Sequence, residues 1–569
     1  MRIGLVLMLF VISLFVGRLV QLQGLDAPAL AASALASRTR DVVLPAHRGD
    51  ITDASGAVLA TTVERFDLRV DQTLVGEYRR DGVKVGLAGA AQDLAPLLGL
   101  SVPQMTAKLT GTSRGATLAT GVTPEVARKV QLLLIPTLVA DQSSIRVYPN
   151  GQVAANLLGF VAKDGHSVGG LEQGLDSTLQ GTKGSITYEV GEDGTQIPTG
   201  LTDEKDPVNG ATLRLTIDRD LQWTAQQMLA DQVAATQSDY GSIAVLDPHT
   251  GTILALATAP TFDPNSPGKT PNDTGDRPLL DVFEPGSTSK VVTLSAALEE
   301  RVATPLTQVT VPNTLHRADK TFHDAENHGT EKLTVAGVLA QSSNIGTILT
   351  GEKVPPPTME RYMRLFGLGA KAGVGLPESS GVLAASSSWN DSQRFTVLFG
   401  QGLSVNVLQS AQVFATLAND GVRVSPQLIA GWTDAAGVWH PGPASTSTRV
   451  VSAATAEQMR QMMEGVVVEG GTAVKAAVPG YRVAGKTGTA QRYLDSCSCY
   501  SGYTASFIGM APADHPALVI AVVLQNPQRG HFGGEVAAPV FSKLMTYALG
   551  RRAVPPSTTP APQIPTRWQ

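Results

Sequence analysis

Cysteine is nearly absent. The 569 residues hold two, Cys497 and Cys499, in the run D-S-C-S-C-Y. That excludes a disulfide scaffold, and a zinc site would need ligands from elsewhere. A bridge across one intervening residue would be strained, although an oxidising compartment would permit it. Aromatics make up only 5% and charged residues 16%. There is no basic excess: 44 Lys and Arg face 49 Asp and Glu, a net charge of -5. A nucleic-acid surface normally needs such an excess, so no nucleic-acid partner is expected. No internal repeat is visible. What is plentiful is apolar content, 43%, which excludes a fully disordered chain. The 57 Gly and 35 Pro imply many turns.

Only one long apolar run exists. Residues 3–16, I-G-L-V-L-M-L-F-V-I-S-L-F-V, carry no charge, and Leu19, Val20 and Leu22 continue beyond Arg18. About twenty residues span a bilayer if Arg18 snorkels to a headgroup region. A membrane anchor over 1–23 is therefore expected, with Arg2 on the cytoplasmic side and the remaining mass outside. The rival is a cleaved signal peptide, with A-L-A-A or A-L-A-S within 29–37 as cleavage sites. A buried helix is the third reading.

Residues 24–40 are Ala-rich, then basic, and look like a stem. The stretch 44–60 reads as short extended pieces around a turn at Asp53–Gly56. Pro124 marks a helix start within 90–136. A second domain begins near 210, where L-R-L-T-I-D-R alternates as a strand before a helical pattern from Leu221 to about Thr236. Residues 241–258 form a hairpin about Asp247–Gly251, and 504–512 with 517–525 form another. Helical segments lie between, and a last helix covers 537–549. Strands at both ends with helices between predict one antiparallel sheet assembled from both ends of the domain, an α+β fold. Residues 551–569 carry five Pro without apolar periodicity and are expected to be disordered.

Three small constellations carry chemistry. In E-P-G-S-T-S-K, 284–290, Ser287 opens a helix and shares a face with Lys290, Val291, Leu294 and Leu298. Burial of that face draws Lys290 inward, where lost hydration lowers its pKa toward that of a general base for the Ser287 hydroxyl. The plain alternative is a solvated Ser/Lys pair on a surface helix. Ser266–Lys269 has the same spacing, but its internal Pro-Gly makes it a loop. In Q-S-S-N, 341–344, Ser342 can relay a proton and the Asn344 amide can hold a peptide carbonyl. The alternative is a helix C-terminal cap, and S-x-N recurs at 388–390 and 404–406. In V-A-G-K-T-G-T-A, 483–490, alternation puts Thr487 and Thr489 on one side of a strand and Lys486 beneath, with Gly488 allowing close backbone approach. The hydroxyls could grip a carboxylate over the ammonium; the alternative is a Gly-rich surface strand. A phosphate loop is excluded, because no G-x-x-x-x precedes the G-K-T in the required form.

The order S-x-x-K, S-x-N, K-T-G is that of penicillin-binding proteins and serine β-lactamases. Over nearly its whole length the chain resembles a class B penicillin-binding protein, most of all the division-associated branch. R-G-D-I-T-D-A-S-G-A-V-L-A (48–60), R-V-Y-P-N-G-Q-V-A-A-N-L-L-G-F-V (146–161), G-G-L-E-Q (169–173), L-T-I-D-R-D-L-Q (215–222), F-G-Q-G-L-S-V-N-V-L-Q (399–409), G-K-T-G-T-A-Q (485–491) and F-G-G-E-V-A-A-P-V-F (532–541) carry the likeness. It departs in an almost absent cytoplasmic tail, in Ser289 where members often have Phe, and in G-L-S-V-N where many read G-x-x-V-T.

The resemblance implies an elongated, mostly β, non-catalytic pedestal over 24–209 and a transpeptidase domain over 210–550. That domain would have an antiparallel sheet flanked by helices and a helical subdomain. Ser287 would attack the carbonyl between the terminal D-Ala residues of a stem peptide, and Lys290 would take its proton. Ser342 with Lys486 would protonate the leaving amine, with Asn344 beside them. Thr487, Gly488 and Thr489 would bind substrate, the N–H groups of Ser287 and Thr489 forming the oxyanion hole. No cofactor or metal would be needed, and β-lactams would acylate Ser287. Implied partners are a membrane glycan polymerase of the shape, elongation and division type and small membrane proteins of the divisome. The rivals are a wall-elongation transpeptidase, a D,D-carboxypeptidase or β-lactamase, a bifunctional polymerase, and a β-lactam sensor or scaffold.

Overall fold

The computed structural model describes residues 2–26, 32–33, 35–36, 38–191, 197–200, 202–269, 275–494 and 497–569. The signal-peptide cleavage candidates within 29–37 therefore lie largely outside the described residues. An apolar helical stretch, Ile3–Leu25, has a mean hydropathy of 2.6 and buries none of its residues against the protein.

The chain forms two compact units. One holds residues 1–49, 64–145 and 180–211; the other holds 50–63, 146–179 and 212–569. Segments 50–63 and 146–179 cluster with the second unit rather than with their chain neighbours. The reason is in the packing of those segments. Arg146 and Glu172 pair at 2.7 Å with side chains that are 2% and 0% exposed, and Leu157, Leu158 and Leu171 enter the second unit's core. Ile51 pairs with Leu213 in a sheet, Asn150 Nδ2 donates to Val58 O at 2.7 Å and Ala154 N donates to Gln226 Oε1 at 2.8 Å, so both segments have their backbone groups satisfied within the second unit.

The first unit is not mostly β, as expected, but mixed. Thr39–Leu44, Gly184–Glu189 and Thr202–Lys205 form an antiparallel sheet. Beside other strands stand helices Gly86–Leu97, Val102–Leu109 and Pro124–Gln131. The run G-L-A-G-A-A-Q-D-L-A-P-L buries Gly89, Ala90, Ala91, Leu94 and Ala95, a helical repeat of small residues that packs against Val75, Met105 and Leu118. Ser101 and Thr123 cap the next two helices through their hydroxyls.

The second unit is built on a five-stranded sheet. Its order is Ile253–Ala259, Tyr240–Leu246, Leu518–Gln525, Cys499–Ala511, Ala484–Leu494, and every neighbouring pair is antiparallel. Strands from both ends of the domain thus meet in one sheet, as the two hairpin signals predict. Leu518–Gln525 is buried at all eight positions. Since alternate residues point to opposite faces, both faces must be covered. Helices Arg219–Thr236 and Ala538–Arg551 pack on the sheet and on each other, and Val407–Ala418, buried at every position, packs on the same strands. Asp218 caps the first of these through two backbone N–H groups.

Two further readings change. Cys497 and Cys499 are bridged, with their Cα atoms 5.2 Å apart; Ser498 between them takes a left-handed φ of 50° at the hairpin turn, which brings its neighbours together. The segment 551–569, expected to be disordered, runs along the second unit instead. Tyr481 Oη donates to Val554 O at 2.6 Å, and Thr334 Oγ1 donates to Pro565 O at 2.6 Å. Proline removes donors but leaves carbonyl acceptors. Its fixed φ also lowers the entropy cost of laying such a segment down.

Candidate active site

The nucleophile candidate lies where a short 3₁₀ turn, Gly286–Ser289, feeds helix Lys290–Glu299. In a 3₁₀ turn positions i and i+3 eclipse, so Ser287 and Lys290 fall on one row. The apolar face predicted from the spacing is buried: Val291 and Leu294 are 0% exposed, and so is Lys290. Ser287, half-buried, opens into a cavity of about 620 Å³ that Ser342, Asn344, Thr487 and Thr489 also line. Among the described residues no hydrogen bond joins Ser287 Oγ to Lys290 Nζ. The ammonium instead donates to Ser342 O and, at 3.3 Å, to Ser342 Oγ.

Ser342 sits in a sharp corner. Helix Val335–Ala340 ends just before it, its own φ is 63°, and helix Asn344–Gly351 begins just after. The backbone here is a helix C-terminal cap, the alternative weighed from the sequence: Ser342 N donates to Leu339 O at 3.2 Å and Ser343 N to Val338 O at 3.0 Å. Ser343 caps the second helix from its N-terminal side, its hydroxyl accepting from Gly346 N at 2.8 Å. The Ser342 hydroxyl, used by neither cap, is left to the two lysines. The other S-x-N runs serve structure: Asn406 caps helix Val407–Ala418, and Asn390 Oδ1 accepts from Gln393 N at 2.7 Å. Pro267–Lys269, expected as loop, is a single 3₁₀ turn and takes no part in the cavity.

The third constellation is the edge strand Ala484–Leu494. Gly488 is required there by close approach. A Cβ at 488 would meet Ser506 Oγ at 2.3 Å and Pro285 O at 3.1 Å, so only glycine lets this strand lie against the nucleophile turn. Lys486 was expected beneath the sheet, away from the threonines. Its stem is buried, but the ammonium turns back and donates to Thr487 Oγ1 at 3.1 Å and to Ser342 Oγ at 2.9 Å. Thr489 Oγ1 accepts from Gly533 N at 3.2 Å.

Two buried amines therefore share one hydroxyl. Burial pulls Lys290 down to about 7, with nearby Asp324 partly opposing the shift. Lys486 is held well below the usual lysine value, first by burial and then by the charge of Lys290. Two ammonium groups this close cannot both keep their protons cheaply. With one amine charged and the other neutral, the shared Ser342 hydroxyl can pass a proton between them.

Two cavity residues escaped the sequence reading. Asp324 Oδ2 accepts from Ser343 Oγ at 2.7 Å, while Oδ1 accepts from Asn344 N at 2.5 Å and Ile345 N at 3.0 Å. Its carboxylate thus sits on the N-terminus of helix Asn344–Gly351, where the dipole favours negative charge. Asn344 Nδ2 donates to His323 O at 3.0 Å, so its amide is tied to the same loop. Thr472 Oγ1 is 2.9 Å from Thr487 Oγ1. Nothing in the spacing of either residue marks it; only the loops that carry them bring them in. Among the described residues no group of His, Cys, Asp or Glu is arranged to hold a metal.

The chain is similar to known proteins over nearly its whole length. Residues 241–546 match the family description "Penicillin binding protein transpeptidase domain", and residues 43–215 match "Penicillin-binding Protein dimerisation domain". The chain is 36% identical to penicillin-binding protein PbpB of Mycolicibacterium smegmatis, over 99% of this chain and 92% of that protein. It is 32% identical to the peptidoglycan D,D-transpeptidase FtsI of Escherichia coli, over 96% of this chain and 91% of that one. Among solved structures, penicillin-binding protein 3 of Mycobacterium tuberculosis complexed with aztreonam is similar with a TM-score of 0.73 at 32% identity, covering 93% of this chain and all of that one.

Proposed function

The chain belongs to the penicillin-binding protein transpeptidases and is a D,D-transpeptidase; on that premise we propose that it is a class B member cross-linking peptidoglycan by a serine acyl-enzyme on Ser287. The observation that carries this reading is the meeting of Lys290 and Lys486 on Ser342 Oγ beside the cavity that Ser287 lines.

Neutral Lys290 takes the Ser287 proton as Oγ bonds to the carbonyl carbon between the two terminal D-Ala residues. The N–H groups of Ser287 and Thr489 hold the oxyanion. The C–N bond then breaks as a proton passes from the lysine pair through Ser342 to the leaving D-Ala amine. Thr487 and Thr489 hold the substrate's terminal carboxylate, Gly488 lets their strand close on the nucleophile, and Asn344 holds a peptide amide. The amine of a neighbouring stem attacks the ester carbonyl and gives a proton to the lysine pair, the C–Oγ bond breaks, and that proton passes to Ser287 Oγ. No cofactor or metal takes part in this scheme.

β-Lactams acylate the same serine, a reading supported by the aztreonam complex of the similar mycobacterial protein. Residues 1–23 anchor the chain, 24–209 act as a pedestal, and the catalytic unit faces the wall compartment. The role is septal, with a membrane glycan polymerase and small divisome proteins as partners; mid-cell localisation of a tagged chain tests that placement. Fluorescent penicillin tests the mechanism. Ser287→Ala should abolish labelling, and persistent labelling would refute the nucleophile. Rapid catalytic hydrolysis of penicillin would instead mark a hydrolase.

A further inference from the structure

The segment after helix Ala538–Arg551 does more than lie on the surface. Thr334 N donates to Thr566 O at 3.0 Å and Trp568 N donates to Lys332 O at 3.2 Å. Residues 566–568 thereby join strand Glu331–Thr334 on the edge away from its partner Gln308–Val311. This short added strand touches both ends of helix Val335–Ala340, the helix that delivers Ser342. At the start, Thr334 caps the helix, accepting from Gly337 N at 3.1 Å while donating to Pro565 O at 2.6 Å. At the finish, Arg567 Nη2 donates to Glu331 Oε1 at 2.7 Å. With its amide oriented to satisfy both neighbours, Gln341 accepts from Arg567 Nη2 at 3.1 Å and donates to Glu331 Oε2 at 3.2 Å. Gln341 directly precedes Ser342 in the chain. The helix also makes room for the crossing: a Cβ at 337 would lie 1.9 Å from Thr566 O, so the position requires glycine.

We infer that residues 565–568 are a strap that sets the position of the S-x-N corner, with Arg567 a positioning residue acting through Gln341. Ser342 holds a left-handed φ of 63°, a conformation that surrounding contacts must maintain. Its hydroxyl has to meet two amines at once, so a small shift breaks the proton path. The Arg567 side chain is 56% exposed, and so open an ion pair contributes little to folding. Its effect belongs to geometry.

The inference rests on the serine mechanism proposed above, and the experiment separates the two. Acylation of the full-length protein by benzylpenicillin is followed with melting temperature measured in parallel. Arg567→Ala should slow the acylation step roughly 3- to 10-fold with initial binding and melting temperature unchanged. Gly337→Ala, which pushes Thr566 off the helix, should slow the same step, and Arg567→Lys should recover most of the rate. Wild-type acylation in both Arg567→Ala and Gly337→Ala overturns the strap. So does slowing that tracks a fall in melting temperature and is no smaller in Arg567→Lys. If Ser287→Ala stays unlabelled while the strap variants react normally, the strap alone fails; if Ser287→Ala still labels, the serine reading fails first.

Discussion

Lys290 is chemically poised because it is thermodynamically misplaced. An amine that is 0% exposed loses the hydration its charge needs, which pulls it from 10.5 to about 7. The sign of the linkage follows. Between about 7 and 10.5 the unfolded chain holds a proton that the folded chain does not, so stability rises with pH across that window and the penalty is fully present below it. Lys290→Met fills the same volume without charge. It is expected to raise stability at pH 7 by on the order of 1–4 kcal/mol and to abolish penicillin labelling; urea melts and labelling gels read the two effects. The acylation rate of the native protein should rise with pH through about 7 and then level, as the base loses its proton. A flat profile from pH 6 to 9 would remove Lys290 from that role. The sequence displayed this residue well. S-x-x-K followed by Val291, Leu294 and Leu298 was enough to predict its burial, because helical periodicity ties one face to one environment.

At the scale of elements, the corner at 342 is a joint between two helices held by a loop from elsewhere. Asp324 supplies it, bonding Ser343, Asn344 and Ile345 together. Asp324→Ala should cost about 1–2 kcal/mol as the helix loses its cap. It should also slow β-lactam acylation by roughly 10- to 100-fold as Ser342 drifts from the two amines. Stopped-flow acylation and thermal melts on the same samples check both. The S-x-N motif itself was visible, yet its local meaning was not. A cap at a helix end and a proton relay at a helix joint use the same residue types. Here the residue does both: its backbone closes one helix while Ser343 caps the next with its hydroxyl, which leaves the Ser342 hydroxyl to the two amines. Lys486 carries a similar lesson. Alternation along a strand fixes where the side chain starts, but four flexible methylenes let its ammonium return to Thr487 and Ser342.

For the molecule as a whole, the apolar helical stretch Ile3–Leu25 buries nothing against the protein, whereas every residue of the lysine–serine cluster lies in the second compact unit. Full-length protein is expected in the membrane fraction. A chain lacking residues 1–25 should be soluble without detergent and be acylated by benzylpenicillin at the full-length rate. Loss of acylation on that deletion would tie the site to the anchor.

The sequence by itself determined the residues of the candidate site and the plan of the sheet: the serine, the two lysines, the glycine of the edge strand, and hairpins at both ends of the domain. These are local patterns, set by period and by turn residues within a few positions of one another. Tertiary structure decided what depends on distant segments meeting. It drew 50–63 and 146–179 into the second unit through the pairing of Ile51 with Leu213 and the bond from Ala154 N to Gln226, brought Asp324 beneath the 342–344 corner, and ordered a Pro-rich segment whose carbonyls found donors at Thr334. Composition could not foresee these, because a donor or counter-charge far along the chain leaves no mark on the residues that will receive it.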